Sequence, residues 1–508
     1  MKKAAFLIII LTIVVKGLGF IRDIVISYYY GASYISDAYL LSLTIPTFFF
    51  SFISMGITTG FIPTFTKIAD NTNETQAISF TNNLTNVLLF FCTLIIVIGI
   101  IFTEPIVKIF AIGFEGETLR LAVDFTRIGF ITLYFYVLTA IYSGYLQIKG
   151  DFATPVLVGF PMNIITMIVI FISTKTSLVV LAYGSVLAAF SQILLWLPAI
   201  IKKGYKYKFT FNIKDKNLKE MFVIAIPAII ALNINQINVL IDRTLASTIA
   251  PGAMSSIDYA NRLNIFMNSL FAGSIATVLY PTMAKMALKK DKMGLNSSMQ
   301  EALNIVTIIT VPLSVGMIIF SEQIIQVLFG RGAFDRIAIY MTSQALLYYS
   351  IGISAYGFRE ILSRAFYAIT DTKTPLINSV YSMILNICLN FILLKYLGIG
   401  GLALSTSLSA IFMVILLSIN YNKKIVRINY KPIIVTLLKC SIASILMGLS
   451  TLLIFEILSS KIILTIALII SVVIGVILYL LLIYLFKVRE LYLIILLLKS
   501  KLNQFHKS

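Results

Sequence analysis

The sequence predicts an all-α polytopic membrane protein of about 14 transmembrane helices, with two parallel six-helix repeats followed by two further helices. Three observations predict it. The 508 residues are 59% hydrophobic and 12% charged, with a mean hydropathy of +0.97, whereas soluble domains carry about 25% charged residues. The apolar residues gather into runs of roughly 20, enough for a helix to cross the hydrocarbon core. Short motifs also recur in the same order about 220 residues apart.

The apolar runs place spans near residues 5–30, 37–66, 78–102, 119–148, 154–173, 177–201, 219–248, 256–284, 297–321, 338–368, 376–396, 400–421, 432–456 and 462–486. The first run, "MKKAAFLIIILTIVV", starts like a signal peptide but lacks a small-residue cleavage site, so it reads as a retained span. Lys and Arg collect in the N-terminus and the even-numbered loops, notably "KKGYKYKFTFNIKDKNLK" (202–219), "KMALKKDK" (285–292) and "KKIVRINYK" (423–431). By the positive-inside rule both termini are then cytoplasmic. The net charge of +19 is explained by this topology and by attraction to anionic lipid, without nucleic-acid binding.

Catalytic chemistry has little to work with. The only histidine is His506, and Cys92, Cys388 and Cys440 lie in apolar runs without metal or redox spacing. No Gly-rich phosphate loop with a Lys-Ser/Thr ending is present. A transporter is expected, with no cofactor and no metal site. An enzyme of lipid-linked sugars would need acidic clusters or histidines on its loops.

The repeat is read from paired landmarks. Arg22, Gly31-Ala32 and Asp37 match Arg243, Gly252-Ala253 and Asp258; "FIPTFTK" (61–67) matches "LYPTMAK" (279–285); "DFATP" (151–155) matches "DTKTP" (371–375). Six spans separate equivalents, so the halves share one membrane orientation, as in parallel repeats that face each other across a central cavity. The divisions expected are 1–201 (spans 1–6), a basic linker 202–218, 219–424 (spans 7–12), an added pair at 425–486 and a basic tail at 487–508.

Charges inside spans mark functional sites by default. They are Lys16, Arg22 and Asp23 in span 1; Asp124 and Arg127 in span 4; Asp242 and Arg243 in span 7; Arg262 in span 8; and Arg359, Glu360 and Arg364 in span 10. Adjacent residues on a helix point apart, so Arg22 and Asp23 are expected to face a cavity or to pair with other spans. Asp37 and Asp258 stand where a helix N-cap belongs. Arg262 either faces the cavity or snorkels outward, and Arg331 and Arg336 are expected in a loop at the outer mouth. Prolines 46, 227 and 312 are expected to kink their helices.

The runs "GFIRDIVISYYYGASYISDAYLLSLTIPTFF", "GFIPTFTK", "LIDRTLAS", "IDYANRL", "FGRGAFD" and "REILSRAFYAITDTKTP" resemble the MurJ (MviN-type) lipid II flippases of the MOP exporter superfamily, over about the first 420 residues. The resemblance implies flipping of the undecaprenyl-diphosphate-linked peptidoglycan precursor, lipid II, from the inner to the outer leaflet of the bacterial cytoplasmic membrane. It assigns substrate-binding roles to Lys16, Arg22, Asp23, Asp37 and Arg262, and a tail groove to the last two spans. Helix two departs from the family: Phe50, Ser51 and Met55 stand where many members carry an Arg-Arg pair and a Glu, so Arg359 and Arg364 are candidate substitutes. Asp242, Asn386, Asn390 and Thr406 form a candidate Na⁺ site by family precedent, although Asn390 is neutral and interhelical hydrogen bonding is the simpler reading. Membrane potential, with or without Na⁺, is the expected driving force, and lipid II, anionic lipid and a monomeric state the expected partners. The alternatives are a flippase for another lipid-linked oligosaccharide or a MATE-like cation-coupled exporter, for which an acidic cavity is expected.

Overall fold

The computed structural model describes residues 2–232, 234–488 and 490. Among them the regular structure is helical, with no strand. The first half comprises α1 (Lys2–Tyr30), α2 (Tyr34–Gly56), α3 (Ile62–Asn71), α4 (Glu74–Ile101), α5 (Thr103–Phe110), α6 (Gly116–Gly129), α7 (Thr132–Ile148), α8 (Ala153–Leu157), α9 (Gly159–Ser173), α10 (Val179–Ser191) and α11 (Ile193–Lys202). Then follow α12 (Lys216–Leu232), α13 (Ile234–Ala246), α14 (Ala253–Asn268), α15 (Ser274–Leu288), α16 (Lys292–Ile319), α17 (Ser321–Leu328), α18 (Arg336–Ile351) and α19 (Ile353–Ala368). The last four are α20 (Lys373–Leu397), α21 (Ile399–Lys424), α22 (Tyr430–Ser459) and α23 (Leu464–Leu485).

Among the described residues, ten helices are long and apolar enough to cross a bilayer, and α6 with α7, bent by 44°, makes an eleventh. Fourteen were expected. The other three expected spans fall on α1, α12–α13 and α18–α19. Spans two and eight each contain a π-helical turn, at Ile57–Phe61 and Ser269–Gly273. Such turns insert one residue into the ladder and bend the helix, frequently at functional positions. Pro46 and Pro312 do lie inside α2 and α16.

The chain divides into two contact units. One holds the residues up to Ser255 together with Arg331–Ala338; the other holds Ser256–Gly330 and the described residues from Ile339 onward. In the first, Phe61, Phe65, Phe80, Tyr142, Tyr145, Trp196 and Tyr205 form an aromatic core, with Trp196 stacked on Tyr142 at 4.6 Å. Helix α12 packs against α2 in this unit. Here "FGRGAFD" meets the end of α1, where the Ala333 N–H donates to the Tyr28 carbonyl at 2.8 Å. Gly31 has φ +63°, and a Cβ there would collide with the Ala333 carbonyl. Only glycine fits that close approach.

The second unit is built on Met299, Leu303, Phe366 and Tyr421. Helices α22 and α23 pack beside it on α16 and α17. The Tyr479 hydroxyl donates to the Ile308 carbonyl at 2.8 Å, which satisfies a polar tip inside an apolar contact.

Candidate functional site

Within the first unit, Arg22 and Asp23 do not point apart as expected. Helix α1 is unbroken there, and the long Arg22 side chain curls back so that Nη2 and Nε donate to Asp23 Oδ1 at 2.9 and 3.2 Å. The rule that neighbours on a helix face different ways concerns Cβ directions; four side-chain torsions let arginine override it. The pair is desolvated, with side-chain exposure of 20% for Arg22 and 7% for Asp23. Nη1 takes no part in it. Tyr136 of α7 lies within electrostatic range of Arg22 and packs, tilted, with its ring centroid 5.4 Å from that of Phe50, one of the uncharged replacements in helix two. Lys16, two turns earlier, is exposed.

Asp37 also differs from expectation. The cap of its own helix is Ser33. The Asp37 carboxylate, fully buried, accepts from the Gly252 N–H at 2.6 Å and the Ser255 N–H at 2.7 Å. It therefore caps α14, the helix that opens the second repeat's equivalent span, where a carboxylate also complements the helix dipole. Gly252 has φ +86°, and a Cβ there would strike the Ala32 carbonyl. Asp258, expected as a cap, lies inside α14 instead. Arg243 donates to Thr44 Oγ1 of α2, and Asp242 is buried beside it in sequence.

Within the second unit, span ten engages both of its arginines. Arg364 Nε donates to Glu360 at 3.0 Å and its guanidinium sits 5.4 Å from the Tyr280 ring; Arg359 sits 5.4 Å from the Tyr356 ring. Arg262 is half-buried on α14. Asn386 donates to Thr406 Oγ1 at 3.2 Å and Asn390 donates to Asn386 Oδ1 at 3.0 Å, which ties α20 to α21. No group of three or more His, Cys, Asp or Glu that could hold a metal occurs among the described residues.

One repeated device escaped the sequence reading. Asp151 accepts from the Thr154 N–H at 3.1 Å and hydroxyl at 2.7 Å, and Asp371 accepts from the Thr374 N–H at 3.0 Å and hydroxyl at 2.7 Å. Lys424 bridges to Asp371 at 2.8 Å, and its counterpart Lys203 supports Asp151 electrostatically. Lys203 and Lys424 are separated by the same repeat offset, and that signal was available. Of the tail, Lys487 is exposed, while Arg489, Lys499, Lys501 and Lys507 lie outside the described residues.

A family model described as lipid II flippase MurJ matches residues 26–473. The chain belongs to this family. A probable lipid II flippase MurJ of Buchnera aphidicola subsp. Acyrthosiphon pisum is 30% identical over 427 residues, covering 83% of this chain and 84% of that one. A Vibrio cholerae relative with the same description is 27% identical, with 82% of each chain covered. A solved structure of lipid II flippase MurJ in an inward closed conformation superposes with a TM-score of 0.82 at 27% identity, covering 95% of this chain and 98% of that one. A multidrug-resistance MATE transporter of the MOP superfamily, inward-facing, gives 0.69 at 16% identity over 80% and 94%. At that identity the likeness is one of fold. The chain is thus an integral membrane protein of the lipid II flippase MurJ family, a family of transporters.

Proposed function

We propose that this chain flips lipid II from the inner to the outer leaflet of the bacterial cytoplasmic membrane by alternating access, as a monomer with both termini in the cytoplasm. Family membership across residues 26–473 is the observation that carries the reading. The chemistry of α1 supports it. A bare diphosphate cannot enter hydrocarbon, and a guanidinium binds it through parallel charge-assisted hydrogen bonds. Asp23 holds Arg22 through Nε and Nη2, which leaves the Nη1 edge to meet the phosphates. Lys16 on the same helix adds a second cation. Arg262, Arg359 and Arg364 supply further charge, the last two steadied by tyrosine rings.

The apolar tail need not leave the lipid. Helices α22 and α23 expose Leu438, Ile442, Leu449, Ile469, Val473 and Ile477 and carry almost no charge, which suits a groove for the polyprenyl chain. Moving each negative charge outward in an inside-negative cell is favoured by roughly 2.3 kcal/mol per 100 mV, so membrane potential drives export. For α20 and α21 a structural tie is the simpler reading than a Na⁺ site, since Thr406 Oγ1 and Asn386 Oδ1 each accept an amide N–H.

Replacement of a depleted lipid II flippase by this gene tests the reading. Restored growth and outer-leaflet lipid II are expected. A well-inserted protein that rescues neither, yet moves another lipid-linked oligosaccharide, would overturn the substrate.

A further inference from the structure

The linker between α11 and α12 holds a pattern that charge counting hides. Residues 205–214, "YKYKFTFNIK", alternate strictly, with Tyr205, Tyr207, Phe209, Phe211 and Ile213 on odd positions and Lys206, Lys208, Thr210, Asn212 and Lys214 on even ones. Period two is the pattern of an extended strand with two unlike faces. Residues 205–212 form no helix, and no strand pairs with them among the described residues.

Their backbone is satisfied by side chains instead. The carbonyls of Lys206, Thr210 and Asn212 accept from the amides of Asn82, Asn86 and Asn83 of α4 at 3.2, 2.9 and 3.0 Å. The Lys208 carbonyl accepts from Thr210 Oγ1 at 3.3 Å, and the Asn212 N–H donates to Asn83 Oδ1 at 2.6 Å. The three asparagines are buried, and Tyr207 also donates to Asn86 Oδ1 at 2.8 Å. Tyr205 is anchored in the aromatic core against Tyr142 and Tyr145. From there the strap runs along α4 from Asn82 to Asn86 and is back beside Asn83 at Asn212, while the Phe211 ring reaches Phe90.

A loop in water needs no such ladder, because water satisfies its carbonyls. Non-helical backbone at membrane depth does need protein partners. The side chains agree: Phe209 is 74% exposed, Tyr207, Phe211 and Ile213 are exposed with it, and the exposed Lys206, Lys208 and Lys214 stand between them. Aromatic residues belong at the boundary of headgroups and acyl chains, and clustered lysines attract anionic headgroups. We infer that the 205–214 strap is a docking site for anionic phospholipid, with Phe209 and Phe211 seated among the upper acyl chains and the lysines on the headgroup phosphates. The inference is independent of what the protein transports.

The full chain bearing Phe209→Trp in a Trp196→Phe background, reconstituted in vesicles, tests it, since Trp196 is the single tryptophan. If that background folds poorly, Trp196 stays and the position-209 signal is taken by difference. The indole is expected to emit blue-shifted light and to be quenched by lipids brominated high on the acyl chain. In equal mixtures, brominated phosphatidylglycerol should quench about fivefold more effectively per molecule than brominated phosphatidylcholine, the equivalent of one lysine at the surface. Lys206→Gln with Lys208→Gln should remove that preference and keep the quenching. Water-like emission without quenching, as for a segment awaiting a protein partner, would overturn the proposal, and so would equal quenching by the two lipids.

Discussion

The first and seventh spans carry the same pair of charged residues in opposite order and use them differently. In α1, Arg22 folds onto Asp23 and keeps one edge of its guanidinium outside the pair. In α13, Arg243 reaches across to Thr44 of α2, while Asp242 is buried. The helix caps behave otherwise: Asp151 with Thr154 and Asp371 with Thr374 make the same pair of hydrogen bonds, to the N–H and to the hydroxyl. The two repeats keep what starts a helix in the right place and diverge where a charge is available for chemistry. A cap is fixed by backbone geometry, which both halves share; a ligand-binding charge is fixed by the ligand, which meets the halves differently.

The largest effect that would break this comparison is at Arg22. Arg22→Ala should weaken binding of a soluble diphospho-sugar about 100-fold, the worth of one or two hydrogen bonds to a charged group. Lys should rescue poorly, because it lacks the planar fork. Arg243→Ala should leave that affinity within about threefold and instead cost stability, at least the roughly 1 kcal/mol of its hydrogen bond to Thr44. Equal losses of affinity at the two sites, by isothermal titration on well-inserted protein, would erase the distinction.

Next in size is Asp37. Two charge-assisted bonds to buried N–H groups are lost in Asp37→Ala, so thermal unfolding in detergent should report about 3 kcal/mol of destabilisation, with Asn recovering part of it. An unchanged midpoint would remove Asp37 from the capping role.

The smaller caps sharpen the comparison through pH. Burial works to raise the Asp371 carboxyl, but hydrogen bonds from Lys424 and Thr374 outweigh it and hold the group at about 2 against an ordinary 3.8. Burial likewise opposes the Thr154 and Ala153 bonds and the Lys203 charge at Asp151, and the net shift is again downward. A carboxyl depressed in the folded state stabilises the fold above its unfolded value and loses that contribution as pH falls. Acid sensitivity between about 3.8 and 2 should therefore decrease in Asp371→Asn, and less in Asp151→Asn, where no lysine bridges directly. An unaltered acid profile in Asp371→Asn would contradict the assignment. The smallest expected effect is none at all: exchanging Na⁺ for K⁺ should leave the initial rate of flipping unchanged, and a sodium-dependent rate would restore the ion site in α20 and α21.

Much of the fold was legible because it rests on local chemistry. Apolar run length marked the spans, and motifs such as "DFATP" and "DTKTP" marked the repeat through a turn that any chain of that sequence would form. The site was legible only as a set of residue names. Nothing local says that Asp37 caps a helix more than 200 positions away, or that Arg22 turns back on its neighbour, since both depend on tertiary packing. The π-helical turns in spans two and eight have no sequence rule that would find them. The strap at 205–214 was legible in its alternation, yet its lysines drew attention to charge and away from period.

Translocation of fluorescent lipid II in proteoliposomes of the purified chain, with an imposed potential, tests the central claim most directly. The account predicts transfer to the opposite leaflet at a rate that rises as the receiving side becomes more positive and that falls to the protein-free background in Arg22→Ala. Transfer by the Arg22→Ala protein at the unmodified rate, or none by the unmodified protein at any potential, would contradict it.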